Sequence, residues 1–146
     1  MGQQQLLLLV VGVVLVGIAV VAAFPIMQKS QRQDEADGLL DRGLTLASHA
    51  VYWRSSTYPY RAGGQSYALL ATRGIAELGS DDATIRGEYA ITDASDDFVE
   101  ITGVSTRYPE VGIRVYVNDF SIDSSRIDFA GAFSLDARPA PPSSTD

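Results

Sequence analysis

Leu6 to Met27 is an unbroken run of 22 residues without a polar side chain. No other feature restricts this chain as much. As a helix the run is about 33 Å long at ~1.5 Å per residue, enough to cross a hydrocarbon core of about 30 Å. A helix in a soluble core rarely stays apolar on every face for six turns. The segment therefore reads as membrane-inserted at some stage: as a cleaved signal, a permanent anchor, or a helix that later packs into an assembly. A secretory signal needs a basic start and a short apolar region. Val21-Ala22-Ala23 would serve as a cleavage site, but Met1 to Gln5 carries no basic side chain and the run is long for a signal. Anchor or assembly is the expectation. Lys29 and Arg32 follow the span and nothing basic precedes it. The positive-inside rule alone then places the C-terminal part in the cytoplasm. The opposite orientation follows if a basic leader before residue 1 is removed. Gly12, Gly17, Ala19, Ala22 and Ala23 are small enough to let helices approach closely in lipid.

Charge confirms the division. All 11 Lys and Arg and all 18 Asp and Glu side chains lie beyond residue 28. A net charge of −7 argues against nucleic acid as a partner, because phosphate needs a basic face. With no cysteine there is no disulfide framework, thiolate nucleophile or Cys-ligated metal.

Pro25 removes a backbone donor, so the helix is expected to kink or open there. Gln28 to Glu35 is polar on all sides and has little to bury, which favours local melting. Helical periodicity returns in Ala36, Leu40, Leu44, Ala47 and Val51, with Leu39, Leu46 and Ala50 alongside. Gly38 and Gly43 weaken that stretch by about 1 kcal/mol each relative to Ala. One long, interrupted helix from about residue 3 to about residue 54 is predicted. The aromatic cluster Tyr52, Trp53, Tyr58 and Tyr60 packs the helix onto its own head or onto a neighbour. Tyr58-Pro59-Tyr60 and Gly63-Gly64 mark a loop. Ser66 to Leu78 suggests a short helix stopped by Gly79. Strands are predicted at Ile85–Thr92, Phe98–Ser105 and Gly112–Asn118, with a fourth and a fifth within Phe120–Leu135. Short connectors make neighbouring strands antiparallel. The fold class is α+β, with a long N-terminal hydrophobic helix and a small antiparallel β-head. The domains are 1–54 (helix), 55–136 (head) and 137–146 (flexible tail).

A leading apolar helix with a proline near its end, an amphipathic continuation and a small C-terminal sheet together resemble a type IV pilin or pilin-like protein. Local similarity centres on Leu6 to Gln28 and includes Ala22-Ala23-Phe24-Pro25-Ile26. The chain departs from the family's pattern. Members usually carry a basic leader ending in Gly and then a glutamate as the fifth residue of the mature chain; that position is Gln5 here, or Leu7 if a leader ends at Gly2. The resemblance implies a structural subunit of an extracellular filament on the cell surface, held in the cytoplasmic membrane before assembly and extracted by pilus assembly machinery. Its partners would be identical subunits in a helical homo-oligomer. The filament core would comprise Leu6, Leu7, Leu8, Leu9, Val10, Val13, Val14, Val16, Gly17, Val20, Val21 and Phe24, with the helix break at Pro25. The alternative is a single-span membrane-anchored protein whose β-domain binds a partner or ligand.

Little in the head suggests catalysis. His49 is the only histidine, lies in the amphipathic pattern and has no nucleophile-elbow motif to work with. Asp93, Ser95, Asp96 and Asp97, and also Asp119, Asp123 and Asp128, are of the type that hard cations use. They lack EF-hand spacing and read equally as turn residues. No enzyme activity, metal or cofactor is expected. Arg138 to Thr145 has the composition of an O-glycosylated segment or of a frayed terminus.

Overall fold

The structure, a computed structural model, describes residues 2–56 and 65–136. Helix α1 runs Gly2–Ser55, and its backbone stays helical through Pro25 and through residues 28–35. The expected opening is therefore not found, for a physical reason. A proline deletes one N–H donor, here the one that would reach the Val21 carbonyl, and the ladder resumes on either side. The polar stretch consists mainly of Gln, Lys, Arg and Glu, which propagate a helix well even with nothing to bury.

The chain divides into two units, Met1–Asp34 and Glu35–Asp146. The division falls inside α1, because the amphipathic half of the helix packs on the sheet. That sheet is a meander: β1 (Gly87–Ala94), β2 (Phe98–Ser105), β3 (Gly112–Asn118) and β4 (Ser121–Asp128), in spatial order β1-β2-β3-β4. All neighbours are antiparallel. β2 and β3 match their predicted bounds. β1 starts two residues late, because Thr84 closes a tight turn around Ile85 and Arg86. The Thr84 N–H donates to the Gly87 carbonyl at 2.8 Å, and the Thr84 hydroxyl accepts from the Gly87 N–H at 3.2 Å. There is no fifth strand among the described residues. The predicted short helix is split by Gly74 (φ 68°) into α2 (Leu70–Arg73) and a 3₁₀ turn, Ile75–Leu78, which Gly79 ends at φ 69°. Tyr58, Tyr60, the Gly63-Gly64 pair and the tail from residue 137 lie outside the described residues.

The core lies between α1 and one face of the sheet. Ala36, Leu39, Gly43, Leu46, Ala47, Ala50 and Trp53 are buried on the helix. Tyr89, Ile91, Val99, Ile101, Ile113, Val115 and Val117 are buried on the strands. The centre of the stripe is thus Leu39-Gly43-Leu46-Ala50-Trp53, while Leu40, Leu44 and Val51 flank it half-buried. Gly43 sits there because α1 comes so close: a Cβ at that position would lie 2.6 Å from Ile113 Cδ1 and 3.2 Å from Val115 Cγ2. Tyr89 spans the same interface and donates its hydroxyl to the Leu39 carbonyl at 3.3 Å. Burial pushes its pKa up to about 12.

Gly43→Val overfills this contact. It is expected to cost about 1–3 kcal/mol, and to lower the head's melting temperature by roughly 4–8 °C per kcal/mol. Thermal unfolding followed by circular dichroism checks this. An unchanged Tm would mean that the helix does not depend on close approach at Ile113.

Candidate assembly surface

The predicted core residues Leu6, Leu7, Leu8, Leu9, Val10, Val13, Val14, Val16, Val20, Val21 and Phe24 are all exposed, by 50% to 69%. Gly17 is exposed too, and a Cβ added there would meet nothing within 4 Å. α1 is long and apolar enough to cross a membrane, and none of its most apolar stretch is buried within the chain. Exposed Val, Leu, Ile and Phe side chains each forgo roughly 1.5–3 kcal/mol of burial. Over the whole span that is on the order of tens of kcal/mol, more than the ~5–15 kcal/mol net stability of a typical domain. The span therefore requires lipid or protein around it.

Helix geometry sorts the span into two surfaces. Leu6, Val10, Val13, Gly17, Val20 and Phe24 recur at spacings of four and three, the a/d pattern of a coiled-coil seam. Gly12, Ala19 and Ala23 form a second stripe, roughly 120° around the helix at ~100° per residue. The first stripe presents mostly bulk. Small residues let helices come close where lipid removes the hydrophobic drive between them, but Val16 lies between Gly12 and Ala19 at stripe spacing and interrupts the second.

In the head, the structure brings together groups that sequence reading had kept apart. Arg54, in the last turn of α1, is buried, with 5% of its surface exposed. Its Nε donates to the Gln65 carbonyl at 2.8 Å. Its Nη2 meets Asp97 Oδ1 at 2.5 Å and its Nη1 meets Asp119 Oδ1 at 3.0 Å. Tyr67 and Phe120 lie on the guanidinium, with ring centroids at 5.0 and 4.6 Å. Burial alone would lower the Arg54 pKa. The hydrogen bond to Asp97, the neighbouring Tyr67 and the charges of Asp119 and Asp97 outweigh it and raise the value. One side chain thus ties the helix end to the β1–β2 and β3–β4 turns. The signal available in the sequence was an arginine following Trp53 at the end of an apolar stripe, in a chain whose turns are rich in Asp.

Asp96 and Asp128 are also engaged within the head. Asp96 accepts from the Ser66 hydroxyl at 2.7 Å. Asp128 accepts from the Ala132 and Ala130 N–H groups at 2.7 and 3.1 Å, which lowers its pKa. Among the described residues no three His, Asp or Glu side chains converge as a metal site would require. His49 is exposed, and its Nδ1 lies 3.1 Å from Ser80 Oγ. On the sheet face away from α1, Glu100 is buried. It accepts from Thr92 Oγ1 at 2.7 Å and pairs with Arg114 Nε at 3.2 Å, while Phe133 stacks on the Arg114 guanidinium at 4.5 Å. This carboxylate is paired within the head.

No protein-family model, curated protein or solved structure matches this chain. The architecture itself is pilin-like, with a long N-terminal apolar helix followed by a small antiparallel sheet.

Arg54→Met keeps much of the volume but loses the charge-assisted hydrogen bonds. It is expected to destabilise the head by about 1.5–3 kcal/mol. Asp97 and Asp119 are largely solvent-exposed, which keeps the effect at the lower end. Urea denaturation of the detergent-solubilised chain measures it. A midpoint equal to wild type would show that the helix end is held by apolar packing alone.

Proposed function

We propose that this chain is a structural subunit of an extracellular filament resembling a type IV pilus. It waits in the cytoplasmic membrane as a single-span protein, and assembly machinery extracts it. The apolar helices of identical copies then bundle into a core, with the β-heads outside. One observation carries the reading: α1 closes its second half against its own sheet, while the first half, from Leu6 to Met27, stays exposed on every face. Moving the span from lipid into a helix bundle gains little hydrophobic free energy, because both surroundings are apolar. Cohesion then comes from close packing of the helices and from contacts between heads. Unlike surfaces that pair head to tail give an open screw polymer rather than a closed ring when the rotation does not close.

A second reading keeps the same span in lipid as a permanent anchor and gives the head a partner of its own. The length and apolar character of the helix support it equally. The readings part on what covers Leu6 to Met27. Electron microscopy of material sheared from producing cells, with mass spectrometry of its protein, separates them. Long filaments made of this chain support the polymer. A detergent-soluble monomer confined to membranes supports the anchor.

Val14→Asp places a charge in the middle of the span, at about 2.5–3.5 kcal/mol for insertion alone. Sheared filaments are expected to disappear. Filaments of normal length and number in this mutant would sink the helix-core reading.

A further inference from the structure

The head carries far more negative than positive charge. Residues 35–146 contain nine arginines, no lysine and seventeen Asp and Glu, a net charge of −8. Folding leaves this charge at the surface. Among the described residues Glu100 is the one buried carboxylate. Exposed aspartates stand on α1 (Asp37, Asp41), ahead of β1 (Asp81, Asp82), in the β1–β2 turn (Asp96) and on β4 (Asp123). The acid is thus spread over several elements rather than gathered in one. Arg54, Arg73 and Arg114 are already paired with carboxylates of the same head, which leaves Arg42, Arg86, Arg107 and Arg126 as its remaining described cations. An isolated head tolerates the excess, which favours solubility and the monomeric state. A filament brings identical heads together, and there the like charge opposes packing.

We propose that salt decides whether the heads of the filament pack: mobile cations screen the −8 of each head, and the layer of heads holds only where ionic strength is high. The inference rests on the filament reading and names the condition under which its contacts between heads form. Two lengths carry it. A 100-residue domain has a radius of gyration of about 13 Å, so touching heads lie roughly 30 Å apart, centre to centre. The Debye length is ~30 Å in 0.01 M salt and ~3 Å in 1 M. In the dilute case each head feels its neighbour's net charge across the whole spacing. In the concentrated case only groups in direct contact interact. Screening of this kind needs no bound ion, and no three of the described His, Asp or Glu side chains converge to hold one. Low salt alone does not dissolve the polymer, because the span from Leu6 to Met27 must stay covered. It loosens the heads, and copies then leave sooner once a detergent can accept the span.

Sheared wild-type filaments are held in a fixed amount of non-ionic detergent at about 10 mM or about 1 M NaCl, and sedimentable protein is followed in time. Its half-life is expected to be tenfold or more longer in the concentrated salt. Asp37→Asn, Asp41→Asn, Asp81→Asn and Asp82→Asn together halve the −8, all at exposed positions. Repulsion falls with the square of the charge, to about a quarter, so the quadruple variant is expected to lose most of the dependence on salt. Circular dichroism melting checks that its head remains folded. Equal half-lives for wild type in the two salts overturn the inference and leave the filament reading standing. So does an undiminished salt effect in the folded variant, or full protection at about 10 mM NaCl by about 1 mM calcium, which would mean a bound ion. Absence of any wild-type filament overturns both.

Discussion

Apolar surface must leave water, and α1 carries two kinds of it. In the head the problem is solved locally. A stripe at three- and four-residue spacing meets the inner face of a four-stranded meander, and Gly43 lets the two approach until side chains interlock. In the span, the apolar surface runs all the way round. A helix of this kind has no inside of its own, so its cover has to come from outside the molecule. The proposed function follows from that asymmetry more than from any residue in the head.

The head in turn depends on a few polar groups placed where apolar packing ends. Arg54 closes the helix terminus by holding Gln65, Asp97 and Asp119 together, and its charge stays compensated although the side chain is buried. Glu100, Thr92, Thr102 and Arg114 do the same on the opposite sheet face, under Phe133. Buried charges of this sort add little net stability over apolar replacements, but losing one partner is costly. Arg54 thereby fixes which turns sit beside the helix end.

Much of the fold was legible in the sequence. β2 and β3 announce themselves by strict alternation in Val99-Ile101 and Ile113-Val115-Val117, since only one face meets the helix. The span was legible from its length and lack of charge. Other elements were hidden, for identifiable reasons. Gly43 looked like a weak point in a helix, because propensity is a local property and close approach is not. Residues 28–35 looked ready to melt, because they bury nothing, yet their side chains sustain a helix. The start of β1 depended on a threonine hydroxyl competing for backbone partners around Ile85. Arg54 and its two aspartates lie far apart in the chain, and only the meander brings them together. Along the span, where every position is apolar, hydropathy cannot mark a seam. Side-chain size is the one variable left to do so.

The outermost strand carries a consequence of its own. β4 is exposed over most of its length, reads Ser-Ile-Asp-Ser-Ser-Arg-Ile-Asp and pairs with β3 through a register shift at Tyr116/Val117. Its free edge therefore offers hydrogen bonds to any approaching strand, but flanks them with charge and an irregular backbone, and such edges resist pairing with other chains. In the proposed filament, crowded heads would then touch side by side without their sheets fusing, with order among them left to side chains rather than to main-chain adhesion.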